Sequence, residues 1–300
     1  MMIKRLLTVA TLAVAGLSAS TTHAIVTDVD LSNYQLDGVY NLTIAADEAS
    51  GVTYNPDTGT LFVIGDEGRA IVEYDTQGNQ LGLMSLTGFD DTEGITYIGN
   101  GEFIVVEERE QDLYRLTYSA FGSATRGDLP TVSIGPNVGN SGIEGITYDT
   151  ATGKYFAVKE KNPQAVYELD IDWDALSIVV NPLFDPALLD LASDDLSDVQ
   201  ILSTVPSLLG TADQNNLLIY SQEGRKLLEV TPAGDTLSTF DLANVGDAEG
   251  VTIDPEGTIY IVGETPALYV LKPVPEPAAI ATALLGLLAI KPRCKSSRTA

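Results

Sequence analysis

The stretch "DTEGITYIGNGEFIVVEE", residues 91–108, returns as "IEGITYDTATGKYFAVKE" at 143–160 and as "DAEGVTIDPEGTIYIVGE" at 247–264. A unit that recurs along a chain cannot bury its apolar face alone, so recurrence constrains the fold more than any composition does. Aligned at the residue before the glycine or its equivalent, five copies begin at Ser50, Glu93, Glu144, Ser197 and Glu249, at intervals of 43, 51, 53 and 52 residues. Each copy reads as a short alternating strand, a turn rich in Gly, Pro, Asn or Asp, and a second strand of aliphatic and aromatic residues. The turns are explicit in Asn55-Pro56-Asp57-Thr58-Gly59, Gly99-Asn100-Gly101, Thr150-Ala151-Thr152-Gly153 and Asp254-Pro255-Glu256-Gly257.

Third strands follow at 70–74, 113–116, 166–169, 226–230 and 268–271, and fourth strands are readable at 80–85 and 236–240. Four strands per unit, repeated at this spacing, predict an all-β chain: a five-bladed β-propeller of four-stranded blades. The last copy has only three strands, and an N-terminal strand around Tyr34 to Leu36 is predicted to complete it and close the ring. A linear solenoid is the alternative, but it leaves edges that call for polar capping repeats, and none is visible. Residues 182–195 read as an insertion with a short helix over 187–192, and Trp173 is expected to pack beside it.

The first strand of a propeller blade lines the central channel. That places Glu93, Glu144 and Glu249 in an inner ring with Ser50 and Ser197, with Asp66, Glu108, Glu160, Gln222 and Glu264 around it at the ends of the second strands. Asp91, Asp195, Asp247 and Glu48 stand two residues before ring positions. Glu107 and Glu108 together are expected to face the same mouth as Glu93. Crowded carboxylates raise one another's pKa, and a bound cation relieves them. Calcium accepts roughly 6 to 8 oxygen ligands in loose geometry, which suits Glu93, Glu144, Glu249, Asp91, Asp247, Glu108 and Glu160 as a candidate ligand set. Solvated loop acids, partly neutralised by Lys159, Lys161 and Arg109, are the competing reading. Tyr54, Tyr97 and Tyr148 recur four residues after the ring position and read as core.

The termini follow a different logic. Residues 1–24 carry Lys4 and Arg5, an apolar run to Leu17 and a small-residue site at Ala24, the order of a secretory signal peptide. At the other end Val274-Pro275-Glu276-Pro277 leads into an apolar run, 278–290, and then a basic tail. That order resembles the PEP-CTERM sorting signal. The resemblance implies transient membrane insertion, exosortase cleavage, and export across the inner membrane of a Gram-negative bacterium to the envelope, the surface or the medium. The body, 25–273, then holds 10 basic and 41 acidic residues and neither His nor Cys, since His23 and Cys294 lie in the removed ends. This excludes disulfides, imidazole or thiolate metal sites and triads built on His or Cys. It also disfavours nucleic acid as a partner.

The phrases "EASGVTYNPDTGTLFVIGD", "DTEGITY", "IEGITYD" with "VKEKNP", "LLEVTPAGDTL" and "AEGVTIDPEGTIYIVGE" resemble the SdiA-regulated (YjiK-like) propeller family, distantly similar to NHL-repeat proteins. The resemblance spans roughly 47–271 and implies a five-bladed propeller with a bound calcium ion and no established reaction. Ser50 and Ser197 depart from the acidic pattern, so a site of five ring carboxylates is excluded.

The absence of a nucleophile–base motif favours an exported calcium-binding module for a protein or an envelope polysaccharide, rather than an enzyme. A calcium-dependent hydrolase of phosphate esters, of the phytase-like propeller type, is the alternative. It has few basic residues to hold phosphate: Lys159, Lys161, Arg109 and Arg225. A glycosidase built on a carboxylate pair is a third reading, disfavoured by the single tryptophan.

Overall fold

The computed structural model describes residues 26–67, 69–189, 195–243, 245 and 247–274. The stretches read as a signal peptide, 1–24, and as a sorting segment, from 275 onward, lie outside the described residues, as do residues 190–192 of the helix expected over 187–192. Among the described residues no helix is long and apolar enough to cross a membrane.

After β1 (Tyr34–Asn41), blade one comprises β2 (Ala49–Asn55), β3 (Thr60–Gly65), β4 (Ala70–Tyr74) and β5 (Gln80–Thr87). Blade two runs β6 (Thr92–Gly99), β7 (Glu102–Glu107) and β8 (Asp112–Thr117). The chain then lays β9 (Ser123–Thr125) parallel to β5 of blade one before β10 (Thr131–Ser133) completes blade two. Blade three is β11 (Ile143–Tyr148), β12 (Tyr155–Lys159), β13 (Ala165–Asp172) and β14 (Ser177–Phe184). Blade four is β15 (Asp198–Ile201), β16 (Leu217–Ser221), β17 (Lys226–Val230) and β18 (Thr236–Asp241). Blade five is β19 (Ala248–Ile253), β20 (Ile259–Gly263) and β21 (Ala267–Pro273), and its outer strand is β1, antiparallel to β21 with Tyr34 opposite Pro273. The architecture is thus a five-bladed propeller of four-stranded blades.

The second strands are buried on both faces, which explains why they read as near-continuous apolar runs rather than as alternating ones. Five apolar clusters separate the blades. Phe62 and Ile64 of blade one meet Phe103 and Val105 of blade two, and Phe156 and Val158 of blade three meet Leu217 and Ile219 of blade four. Trp173 does not sit beside the insertion. It packs against the cluster between blades two and three and donates to the Tyr155 hydroxyl at 3.1 Å. The segment before the helix expected at 187–192 is also different from the reading above. Pro182 to Phe184 belong to β14, and a 3-10 turn, Pro186–Leu189, follows.

The innermost strands β2, β6, β11, β15 and β19 pack against one another in cyclic order around the channel. Each is a sheet edge with unpaired backbone groups, and these must find partners across the blade boundary. Side chains three residues after the ring position supply them. The Oγ1 atoms of Thr53, Thr96, Thr147 and Thr252 accept the N–H groups of Tyr97, Tyr148, Ile201 and Tyr54 at 3.2, 3.1, 3.2 and 3.1 Å. The remaining junction, between blades four and five, uses Thr252 Oγ1 donating to Gln200 Oε1 at 3.0 Å. There Asp198 Oδ2 also accepts the Val251 N–H at 2.7 Å.

The belt leaves no room for side chains beside it. A Cβ on Gly51 would lie 2.6 Å from the Glu93 carbonyl oxygen. Replacing Thr96 by Val keeps the shape but strands the Tyr148 N–H. We expect a loss of about 1–3 kcal/mol, the cost of an unsatisfied buried donor, read as a lower denaturant midpoint at unchanged m-value.

Candidate acidic channel site

The ring residues owe their position to a register fault. Between the first two strands the pairing shifts at Ala49/Gly51, Thr92/Ile95, Ile143/Gly145 and Ala248/Gly250. Ser50, Glu93, Glu144 and Glu249 therefore stand in β-bulges, where an extra residue re-aims its side chain, here toward the channel. In blade four the ladder begins at Asp198, which stands where the others have glycine, and the N–H of Ser197 just before it donates to the Tyr220 carbonyl at 2.9 Å.

A cavity of about 290 Å³ opens at this end of the channel, lined by the carboxylates of Glu48, Asp66, Asp91, Glu93, Glu108, Glu144, Glu160, Glu249 and Glu264. Two cations, Arg109 and Lys161, and three ring or rim partners, Ser50, Ser197 and Gln222, share the lining. Asp91, Glu93 and Glu108 bring oxygen atoms within 4.8 Å of one another, and Glu108, Glu144 and Glu160 do the same. Glu48, Asp66 and Glu67 form a third such group nearer the surface, and of these Glu67 was not singled out from the sequence. Glu108 belongs to both inner groups. It is fixed by the Gly142 N–H, which donates to Oε1 at 2.9 Å. Gly142 is required there, because a Cβ would fall 2.0 Å from the Glu108 carbonyl oxygen.

Of the seven residues read as ligands, six line the cavity: Asp91, Glu93, Glu108, Glu144, Glu160 and Glu249. Glu249 stands apart from both close groups, accepting from Gln222 Nε2 at 2.7 Å. Asp247 does not reach the cavity lining; its side chain is exposed. Asp195 also turns aside, accepting from the Ser221 hydroxyl and the Glu223 N–H at 2.7 and 3.0 Å. Glu107 corrects the expectation that it faces the mouth together with Glu108. Strand alternation points it the other way, where it pairs with Arg126 and accepts the Asp90 N–H at 2.8 Å.

The basic residues neutralise only part of the cluster. Arg109 pairs with Asp91 Oδ1 at 3.0 Å and with exposed Asp90, and Lys161 pairs with Glu160. Lys159 makes no ion pair among the described residues. It donates to the carbonyls of Lys161 and Pro163, and burial pulls its pKa down. Asp91 Oδ2 and Asp66 Oδ1 are buried without a hydrogen-bond partner. Oxygen-only donors, several held together and two orphaned, fit a hard divalent cation.

Burial raises the pKa of Asp91, Glu93, Glu144 and Glu249. Asp91 is pushed up to about 6 by burial and the adjacent Glu108, against the pull of Arg109. Glu249 is pushed up to about 8 by burial and Glu264. Burial, with Glu249 and Asp91, holds Glu93 well above the carboxylate range, and burial with Glu93 and Glu108 does the same for Glu144.

At its far end the channel opens among Tyr54, Tyr97 and Tyr148. Tyr97 is buried as core, but Tyr54 and Tyr148 are half-buried, so these rings are only partly the core residues the sequence led us to expect.

Fold and site together define a five-bladed propeller with a carboxylate-lined channel mouth. Residues 27–272 match the family described as SdiA-regulated, and the chain belongs to that family. A luciferin-regenerating enzyme is similar in structure at 13% identity and a TM-score of 0.49, over 79% of this chain and 94% of that one. Virginiamycin B lyase from Staphylococcus aureus aligns at 15% identity and 0.42, over 78% and 69%. The WD40 β-propeller domain of Doa1 aligns at 10% and 0.47, over 82% and 98%.

An acid whose folded pKa exceeds its unfolded value stabilises the fold while protonated. That contribution is complete below about pH 4 and is lost as pH rises through the folded value. In chelator, the melting temperature should therefore fall between about pH 4 and pH 8. Asp91→Asn should flatten the lower part of that decline, around pH 6, and Glu249→Gln the upper part, toward pH 8. A scanning-calorimetry series across pH checks this.

Proposed function

We propose that the chain is an exported, calcium-binding β-propeller that acts as a binding module at the cell envelope or outside the cell. The observation that carries the cation is the pair of close carboxylate groups sharing Glu108, beside the unpartnered Asp91 Oδ2. Asp91, Glu93, Glu108, Glu144 and Glu160 would hold the ion, and its charge would let buried carboxylates stay ionised together. The bound ion supplies local positive charge at the mouth. Export rests on the order of residues 1–24 and on the Pro-Glu-Pro segment with its apolar run and basic tail. The partner presented to the loops of one face is a protein or an envelope polysaccharide.

A calcium-dependent phosphate-ester hydrolase is the weaker reading for a specific reason. It needs free cations to grip phosphate, and the two on the cavity are already paired with Asp91 and Glu160. No nucleophile–base pair is available from His or Cys in 25–273.

Calcium should raise the melting temperature in a concentration-dependent way, because only the folded ring assembles the ligands. A hundredfold excess over Kd corresponds to about 2.7 kcal/mol of stabilisation. Glu108→Gln, which touches both groups, should abolish most of that response, while Asp170→Asn on the exposed face of β13 leaves it intact. A transition unmoved by calcium or chelator would return these acids to solvated charge. Calcium-dependent release of phosphate from phytate would reverse the order of the two readings. For export, the mass of protein recovered from the envelope or medium should lack both terminal segments; an intact chain in the cytoplasm refutes it.

A further inference from the structure

The recurring tyrosines are not used by the acidic mouth. They lie about 13 Å along the inner strands from it, four residues at strand rise, on the other side of the threonine belt. There a second cavity of about 290 Å³ is walled by Tyr54, Tyr97 and Tyr148 of three consecutive blades, Ile253 of blade five, and Pro206 and Leu209 from the segment after β15. We propose that this cavity is a second binding site, for an uncharged, flat aromatic ring that carries a carbonyl or hydroxyl oxygen.

The chemistry of the lining selects that class. No cationic side chain contributes, so an anionic ligand would find no counter-charge, and the only acid, Asp57, already accepts from the Tyr97 hydroxyl. Three phenol rings and three aliphatic side chains favour a flat apolar body. Thr53 and Thr96 each accept one backbone N–H, and among the described hydrogen bonds their own hydroxyl hydrogens have no acceptor. Both line the cavity, offering donors to an oxygen at one end of the ring.

A sugar is served poorly by the same lining. The Gln200 amide is committed at both ends, Nε2 to the Ile201 carbonyl and Thr204 hydroxyl at 2.9 and 3.1 Å and Oε1 to Thr252. Ser203 is committed to Asp149 at 2.7 Å. A sugar would rely on the hydroxyls of Tyr54, Tyr148 and Thr150, which have no partner among the described hydrogen bonds, and each ligand hydroxyl beyond their reach would go unpaired on entry. Tyr148 is held in place by Tyr155, ring centroids 4.8 Å apart, so the wall is stiff before a ligand arrives.

The test is saturation-transfer NMR with para-hydroxyacetophenone titrated into the full-length purified protein, and methyl glucoside as competitor. Saturable binding that the glucoside does not displace is the expected result. Thr150→Trp alters an exposed turn residue on the cavity rim and fills the mouth without disturbing the core; Kd should rise roughly tenfold or more. Tyr148→Leu removes one stacking face and should raise Kd roughly three- to tenfold. Glu93→Gln and chelator should leave it unchanged, because the acidic mouth is a separate cavity. No saturable binding, the same Kd in either Thr150→Trp or Tyr148→Leu, or displacement by the glucoside overturns the proposal.

Discussion

The close approach of five edge strands around one axis governs this molecule. Strands that near cannot carry side chains at the contact point, so glycine stands there in four blades, and their free N–H groups must be met from the neighbouring blade. The threonine three residues after the ring position does so at four junctions. In the repeated phrase Glu-Gly-Ile-Thr the Gly and Thr thus hold the ring together, and the Glu is what the bulge aims into the channel. Apolar clusters fill the space between blades, and the axial belt sets the spacing at which they meet.

Blade four shows how tightly these roles are linked. It replaces Glu by Ser197 and Gly by Asp198, moving a carboxylate one residue along the strand. The displaced acid accepts the Val251 and Val199 N–H groups at 2.7 and 2.8 Å. Burial holds its pKa well above the ordinary range. One blade therefore gives up a channel charge and gains a cross-blade tie. Among the channel acids that remain, Asp91, Glu93, Glu144 and Glu249 have raised pKa values, at a cost in stability as pH rises through them.

Much of this was legible in sequence because the repeat fixes register. The inner and middle strands of every blade, and the presence of Glu93, Glu108, Glu144, Glu160 and Glu249 at one cavity, follow from where the glycine falls. What was not legible depends on contacts between copies. Glu107 and Glu108 are adjacent, and only pairing decides which faces the channel. Asp247 has the same offset from its ring residue as Asp91, yet its backbone takes a positive φ of 36° and its side chain stays exposed. The short outer strand β10 and the detour of β9 to blade one carry too few residues for a periodic signal. Thr53 and Gln200 look unlike, and their common place in the belt shows only once the blades are side by side.

The pairing of β1 with β21 joins residues at opposite ends of the described chain, Tyr34 to Pro273. A loop of that length closes late, because entropy opposes it until every intervening blade has formed. On a ribosome the first partner emerges long before the second. Until the last strand arrives, the growing arc has two open sheet edges, the type of surface that recruits other chains. The final seven residues of β21 therefore decide when the molecule stops being adhesive, and a truncation there would be felt as aggregation rather than as the loss of one strand.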